Sequence, residues 1–513
     1  MESDLYKFEN NDFEFFSGNK ESLTPLNEKK LSFLKDALIR FKKNKASVIA
    51  FIIIIFITLF ALIMPFVIGK QKGTIMNSYY SKKPARIEFM NNAFGILGGY
   101  KKETKNERSL VFELSKGVGA LSSDDNILPI KESFDYKYQP VKKYKLNGSN
   151  LYDTTYDSYL SVGFIYVSVE QETYHEIKKW EEEHNEKIIY PMINDNNYCF
   201  DINDANYWYK TVDKAYPVKT NSDGSYSMLD FNNTMILEEN YMKDENNNLV
   251  YYLYDSGGSE NNALYKIRVL YYNYYRFIYG KSPNYILGTD SQGYDFAYRL
   301  ATGIRLSLIL SFLVSLINLF IGTFVGAIAG FYGGKIDLII ERVKDILGNI
   351  PFIVVATLFM LHLKDKVNDF LSILFAFILT GWISISSRVR TQFYRFKKEE
   401  YVMASKTLGA KNSRLIWKHI FPNALGTIIT SSVLIIPSVI FSESMLSFLG
   451  IINLGSSEST SLGSLLADAH GIWTIYPHLI ILPSIFISLL MISFNLFGNG
   501  LRDAFNPALR GSE

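Results

Sequence analysis

Apolar positions in this chain come in long unbroken runs, and the polar positions between them fall into blocks. Ala46–Ile68 is a run of 23 residues without a charge, long enough to cross a bilayer as a helix. Four or five later runs repeat the pattern: 306–330, 346–363 with Pro351 near its start, 370–385, 425–449 with Pro437 and Glu443 inside, and 475–496 with Pro477 and Pro483. Between the first and second runs lies one polar block, 70–281, the size of a domain of its own. Tyr159–Val169, Lys187–Ile193, Leu249–Tyr254 and Tyr265–Tyr279 are rich in aromatic and β-branched residues and predict strands; Gln171–Lys187 predicts a charged helix. The expectation is an all-α polytopic membrane protein of six transmembrane helices with an inserted extracytoplasmic α+β domain.

Charge orients the spans. Lys29, Lys30, Lys35, Arg40, Lys42, Lys43 and Lys45 crowd the segment 1–45 before the first run, which predicts a cytoplasmic N-terminus. Six spans return the C-terminus to that side. The loop with Lys335, Arg342 and Lys344, the loop from Arg388 to Lys418, and Arg502 and Arg510 then all fall inside, while 453–473 has no Lys or Arg and falls outside. A cleaved signal peptide is excluded by the long polar lead and the absence of a small-x-small site after the run.

The most basic loop, 388–422, holds a helical pattern. Tyr401, Ala404, Ser405 and Leu408 share one face at i, i+3, i+4 and i+7. Gly409 can end that helix in the left-handed conformation, Asn412 or Ser413 can cap a second helix to His419, and Pro422 suits the start of the next apolar helix. A short helix with small residues on its face, between two spans, suits docking to a soluble partner; a solvated loop that merely fixes topology is the competing reading. Gly322, Gly326 and Gly330, at four-residue spacing, put three glycines on one helix face for close packing, with a flexible hinge as the alternative. Glu443 is an acid inside a span. Such a group faces a cavity or a partner, so it is either a contact on a translocation path or a bond to a neighbouring helix; Asn318 and Asn495 stand with it. Arg388 and Arg390 read as topology anchors and Trp382 as an aromatic near the inner boundary.

Composition removes several chemistries. The 513 residues carry a net charge of +2, which gives no case for nucleic-acid binding. Cys199 is the single cysteine, so no intrachain disulfide forms, and the six His have no metal-ligand spacing. Gly280-Lys281-Ser282 resembles the end of a phosphate loop, but Tyr275 stands where a glycine is required. Asn147-Gly148-Ser149 and Asn232-Asn-Thr234 match the short glycosylation pattern.

Five stretches, in order, carry a family resemblance. Glu400-Tyr-Val-Met-Ala404-Ser405-Lys-Thr-Leu-Gly409 with His419-Ile-Phe-Pro422-Asn423 resembles the EAA loop of bacterial ABC-importer permeases. Leu287-Gly288-Thr289-Asp290-Ser-Gln-Gly293-Tyr294-Asp295, Gly330-Phe-Tyr-Gly333-Gly334-Lys-Ile-Asp337, Leu446-Ser447-Phe448-Leu449-Gly450 and Phe494-Asn495-Leu496-Phe497-Gly498-Asn499-Gly500-Leu501-Arg502-Asp503 resemble elements of the oligopeptide/dipeptide branch, OppC/DppC type. Met403, Ser405, Tyr294, Asn499 and Leu462 depart from the usual residues, and the block 70–281 exceeds the family's usual outer segment. The resemblance implies a type I importer permease core over 283–507. It further implies a second permease subunit (OppB/DppB type), two cytoplasmic ATPases (OppD/OppF type) and an extracytoplasmic binding protein (OppA type). Glu400, Tyr401, Ala404, Ser405, Leu408, Gly409 and Ala410 would contact an ATPase. This chain would bind no cofactor; ATP and Mg would sit on the partner ATPases, and the chain itself would be no enzyme. The expected place is the bacterial plasma membrane. Peptides are the implied cargo, with a metal or haem complex as the alternative. A secondary transporter would show paired mid-membrane charges and internal repeats, and a membrane receptor would need an output module; the sequence shows neither. The outer block either docks the binding protein or is an inert surface.

Overall fold

In the computed structural model the described residues are 33–106, 140–190, 219–220, 226–229, 235–236, 241–245, 249–255, 263–363, 366–455 and 460–505. Lys29, Lys30, Cys199, Asn232 and Arg510 lie outside them.

The chain enters through α1 (Phe33–Lys43) and α2 (Lys45–Ile68). Asn44, between them, caps α2 by accepting from the Ser47 N–H. Ser47, Ala50, Ile57, Ala61 and Pro65 form the buried face of α2; its remaining surface is Ile, Phe, Leu and Val, as a lipid-facing helix requires.

The outer block is α+β. It contains α3 (Glu88–Phe94), β1 (Tyr100–Asn106), β2 (Pro140–Leu146), β3 (Ser149–Asp157), β4 (Phe164–Val169), α4 (Gln171–His184), β5 (Ile189–Tyr190), β6 (Lys219–Thr220), β7 (Tyr226–Leu229), β8 (Met235–Ile236), β9 (Tyr241–Lys243), β10 (Leu249–Asp255), β11 (Ala263–Leu270) and α5 (Tyr271–Tyr279). Antiparallel strands run β4-β11-β10-β9 with β5 also on β11; β1-β3-β2 and β6-β7-β8 form two smaller sheets. Its core is tyrosine-rich: the fully buried Tyr80 meets Tyr159 and Tyr271 edge-on at 5.0 and 4.9 Å. Burial pushes the Tyr275 phenol up to about 12, so this cluster stays uncharged.

Two readings change here. Tyr159–Val169 is a strand only from Phe164, after a 3-10 turn at Leu160–Val162 that ends at Gly163 with positive φ. Tyr265–Tyr279 is a strand only to Leu270; the rest is helix α5, because Tyr271 and Tyr275 at i, i+4 fill one buried face. Aromatic content alone did not separate the two periods. Gly280 is that helix's left-handed C-cap, its N–H donating to Arg276 O. Asn147-Gly148 is the two-residue turn of the β2–β3 hairpin, both residues at positive φ.

The membrane part follows: α6 (Phe296–Tyr332), α7 (Gly334–Gly348), α8 (Phe352–Leu363), α9 (Asp369–Phe396), α10 (Glu400–Thr407), α11 (Phe421–Val433), α12 (Ile435–Phe448), α13 (Leu462–His470) and α14 (His478–Phe505). Among the described residues, five helices are long and apolar enough to cross a membrane, or six if α7 and α8, bent by 78°, make one span. The run 346–363 is thus not one straight span. Pro351 lacks the N–H that would continue α7 and disfavours helical geometry at Ile350. The expected helix start at Pro422 also differs. The rod is continuous from Asn412 to Phe448, with Lys411 as N-cap, and a π turn at Leu415–Ile420 widens the helix just ahead of the proline.

Helix α6 is the centre. Gly322, Gly326 and Gly330 all face α9: a Cβ on Gly322 would stand 2.7 Å from Ile385 Cβ, one on Gly326 would overlap Ser386 O, and one on Gly330 would stand 2.7 Å from Arg390 O. Replacing Gly326 with Leu should therefore cost about 1–3 kcal/mol or more through overpacking. Phe320→Ala, on the exposed face of α6, should stay within about 0.5 kcal/mol. Thermal melts in detergent check this; equal melting points would contradict the packing.

Candidate functional site

Helix α10 is held by one side chain. Val402 is 2 % exposed and joins a cluster with Phe393 of α9 and Leu415, Ile416 and Ile420 of the π turn. On its other side lie Glu400, Tyr401, Met403 and Ala404, all exposed, with Ser405 half-buried and donating to Tyr401 O at 2.9 Å. Asn423 Nδ2 donates to Tyr401 OH at 3.1 Å, tying the helix to the start of α11. Leu408 is 88 % exposed, an apolar side chain that no described residue covers. Gly409 has φ +82° and open space around it, so it is required by backbone conformation rather than by crowding. Ala410 turns back onto the buried cluster.

The platform under α10 is clamped. Arg390 of α9 donates to both Asp337 oxygens of α7, at 2.5 and 2.6 Å, and Tyr394 OH adds a third bond at 2.8 Å. Glu341 sits 3.3 Å from the same guanidinium and pairs with Lys344 at 2.6 Å. Reading Arg390 as a topology anchor missed this partner. The lone acid after Gly333-Gly334 was the available signal.

At the outer end, Asp295 caps α6 by accepting from the Ala297 and Tyr298 N–H groups, and Lys72 lies 3.6 Å away. Burial pushes the Lys72 ammonium down and the Asp295 carboxyl up, while each opposes the shift of the other. Asp290 accepts from the Gln292 and Tyr294 N–H groups and faces Arg299 at 3.4 Å. Gly288 and Gly293, both at positive φ, lie against Lys83 O and Asn77 O, where no side chain fits. The Leu287–Asp295 element is therefore a knot that binds 72–86 to the head of α6. Arg86 extends it into the outer domain through Asp157, at 2.7 Å.

Of the three residues read for a path, two are enclosed. Glu443 is 0 % exposed; its oxygens accept from Ser307 of α6 at 3.0 Å and from Ser447 at 3.1 Å. Asn318 is also 0 % exposed and donates to Phe377 O at 3.3 Å, packed where Gly381 has no side chain. Asn495 is exposed on α14.

Asn495 belongs to a pattern. On α14 the exposed or half-buried face carries Ser484, Ser488, Asn495 and Asn499; on α9 it carries Thr380, Ser384, Ser387 and Thr391; along α11–α12 it carries Asn423, Thr427, Ser438 and Ser442. Successive members of each set are three, four, seven or eleven residues apart, so each is one stripe. α11 packs against both α9 and α14. The exposed face of α6 is Ile309, Phe312, Leu316, Phe320 and Phe324, and that of α2 is equally apolar. The exposed faces of α6 and α2 thus suit lipid, while α9, α11–α12 and α14 carry polar stripes beside exposed apolar residues such as Phe375, Phe441, Met445, Ile485 and Ile492.

The chain's sequence matches the family described as binding-protein-dependent transport system inner membrane component over residues 322–511, and the N-terminal transmembrane domain of oligopeptide transport permease C over 32–84. It is 40% identical over 230 residues to the oligopeptide transport system permease protein OppC of Bacillus subtilis, covering 45% of this chain and 73% of that one. The chain belongs to this permease family. The dipeptide permease DppC of Lactococcus lactis is 39% identical over 234 residues, 45% of this chain and 66% of its own length. A solved structure of the MetNI methionine ABC transporter, inward facing, aligns with TM-score 0.33 at 14% identity over 41% of this chain and 97% of its own. The two family matches leave 85–321 of the permease between them, which includes nearly all of the outer domain.

Asp337→Ala should free α7 from α9. Hydrogen exchange in Lys335–Lys344 should rise while the outer sheets stay protected. Unchanged protection would show the clamp to be dispensable.

Proposed function

We propose that this permease forms half of the transmembrane path of an ATP-driven peptide importer and takes its drive through helix α10. The observation that carries the reading is the exposure of α10. A short helix is anchored by Val402 and the Asn423 bond, and presents Tyr401, Met403, Ala404 and Leu408 outward on a basic loop. Such a surface fits a groove on a cytoplasmic ATPase. Movement of α10 is passed to α9 and α11 through the cluster around Val402, and to α7 through the Arg390–Asp337 clamp. Alternating access needs this kind of packed element with two arrangements. The polar stripes then meet the second permease subunit and enclose the path. The names of the relatives supply peptides as the cargo class, and the outer domain, joined to α6 by the Asp295 knot, is the surface a binding protein meets. Both termini lie in the cytoplasm by the distribution of Lys and Arg.

Leu408→Asp should abolish uptake and release the ATPases during mild-detergent purification, because it puts a charge in an apolar contact. Gly409→Val strains the backbone at φ +82°, and should leave ATP hydrolysis running while uptake falls. Peptide-stimulated ATP hydrolysis and uptake in liposomes read both. Coupled uptake by both variants at the unmodified rate would reject α10 as the drive contact, and absence of any peptide stimulation would reject the cargo.

A further inference from the structure

The break between α7 and α8 sits at a depth where broken backbone needs a reason. A Cβ on Gly348 would lie 3.9 Å from Ile383, and the Phe352 ring stacks on Phe377 at 4.6 Å. Residues 349–351 therefore lie between the levels of Phe377 and Ile383 on α9. The uncharged stretch of α9 runs from Phe370 to Ser387, so the break is within about 5 Å of its midpoint at 1.5 Å per residue. Gly348, Asn349, Ile350 and Pro351 are all exposed. Irregular backbone at membrane depth is tolerated where protein buries it or where it lines a water-filled cavity, and not against lipid.

The chemistry at the break is that of an acceptor. The end of α7 carries the negative pole of the helix. Asn349 Nδ2 donates to Asp345 O at 2.6 Å, which fixes the side chain and leaves its Oδ1 as an acceptor. Ser384 is exposed on α9, and Thr380 is half-buried one turn away; both belong to the polar stripe. The nearby charges are Asp345 and Arg342, paired with each other at 3.4 Å.

We infer that the Gly348–Pro351 break, with Asn349 and Ser384, is a mid-membrane site on the path that receives the hydrogen-bond donors of a passing peptide, chiefly its amino-terminal ammonium. This rests on the peptide-importer reading. It names a contact that sequence had offered to Glu443, which the structure encloses.

The test uses the full assembly in liposomes with Cys199→Ala and one added cysteine: Ile350→Cys, Ser384→Cys, or Phe320→Cys as the lipid-facing control. A membrane-impermeant charged thiol reagent should modify the first two about tenfold or more faster than the third, because thiolate forms only where water reaches. Trialanine should slow modification at both sites, and N-acetyl-trialanine should not. Reaction at Ile350→Cys and Ser384→Cys as slow as at Phe320→Cys would overturn the site. Equal slowing by both peptides would overturn ammonium recognition. Uptake of trialanine by the unmodified assembly tests the cargo reading separately, and water access to residue 350 is measured whether or not that reading survives.

Discussion

The close approach of α6 and α9 is the contact on which the membrane part depends. Three glycines remove the side chains that would hold the helices apart, and backbone carbonyls of α9 occupy the space. In lipid there is no hydrophobic drive to bring helices together, so close packing has to supply it. Everything functional is hung on this pair. The head of α6 is tied to the outer domain by Asp295 and Asp290, and the foot of α9 carries the Asp337 clamp and the platform of α10. The platform of α10 and the outer domain are thus joined through two packed helices rather than through loops.

The same constraint sorts the polar groups. Several inside the helix contacts are met by a specific partner: Glu443 by two serine hydroxyls, the Asn318 amide N–H by a carbonyl, Ser315 by Ser432 O. Those outside are short hydroxyls and amides in stripes. Several bond back to their own helix, as Ser484 does to Ile480 O and Asn495 to Met491 O. That satisfies the donor and leaves oxygen lone pairs facing outward. A lipid-facing surface has no use for such acceptors, and a wetted wall does.

Helical periodicity made much of this legible. The 3.6-residue pattern in 400–408 placed Tyr401, Ala404, Ser405 and Leu408 together, and four-residue glycine spacing placed one face of α6 against a neighbour. What the pattern could not give was the partner. Val402 as the anchor and Asp337 as the mate of Arg390 are contacts between segments distant in sequence, and local spacing carries no information about them. Glu443 shows the opposite limit. A charge in an apolar run marks a position that must be satisfied, but whether by substrate or by Ser307, 136 residues away, is decided by tertiary structure. Tyr271–Tyr279 went wrong for a third reason: aromatic residues favour strands on average, yet here two tyrosines spaced by four bury together.

Proline gave the least certain signal and marks the most consequential feature. Three of the prolines in or beside the chain's apolar runs do different things. Pro422 follows a π turn and leaves its rod continuous; Pro483 sits inside α14; Pro351 stands at a 78° bend. The missing N–H is the same in each. The difference lies in what surrounds it. Around Pro351 are Gly348, a poor helix former, and Asn349, whose side chain and N–H both close the preceding turn on Asp345 O. Three residues within four positions that each favour stopping turn a local weakness into a defined break. Its residues, Gly348 to Pro351, are exposed, so the break opens on the surface of the helix bundle rather than within it.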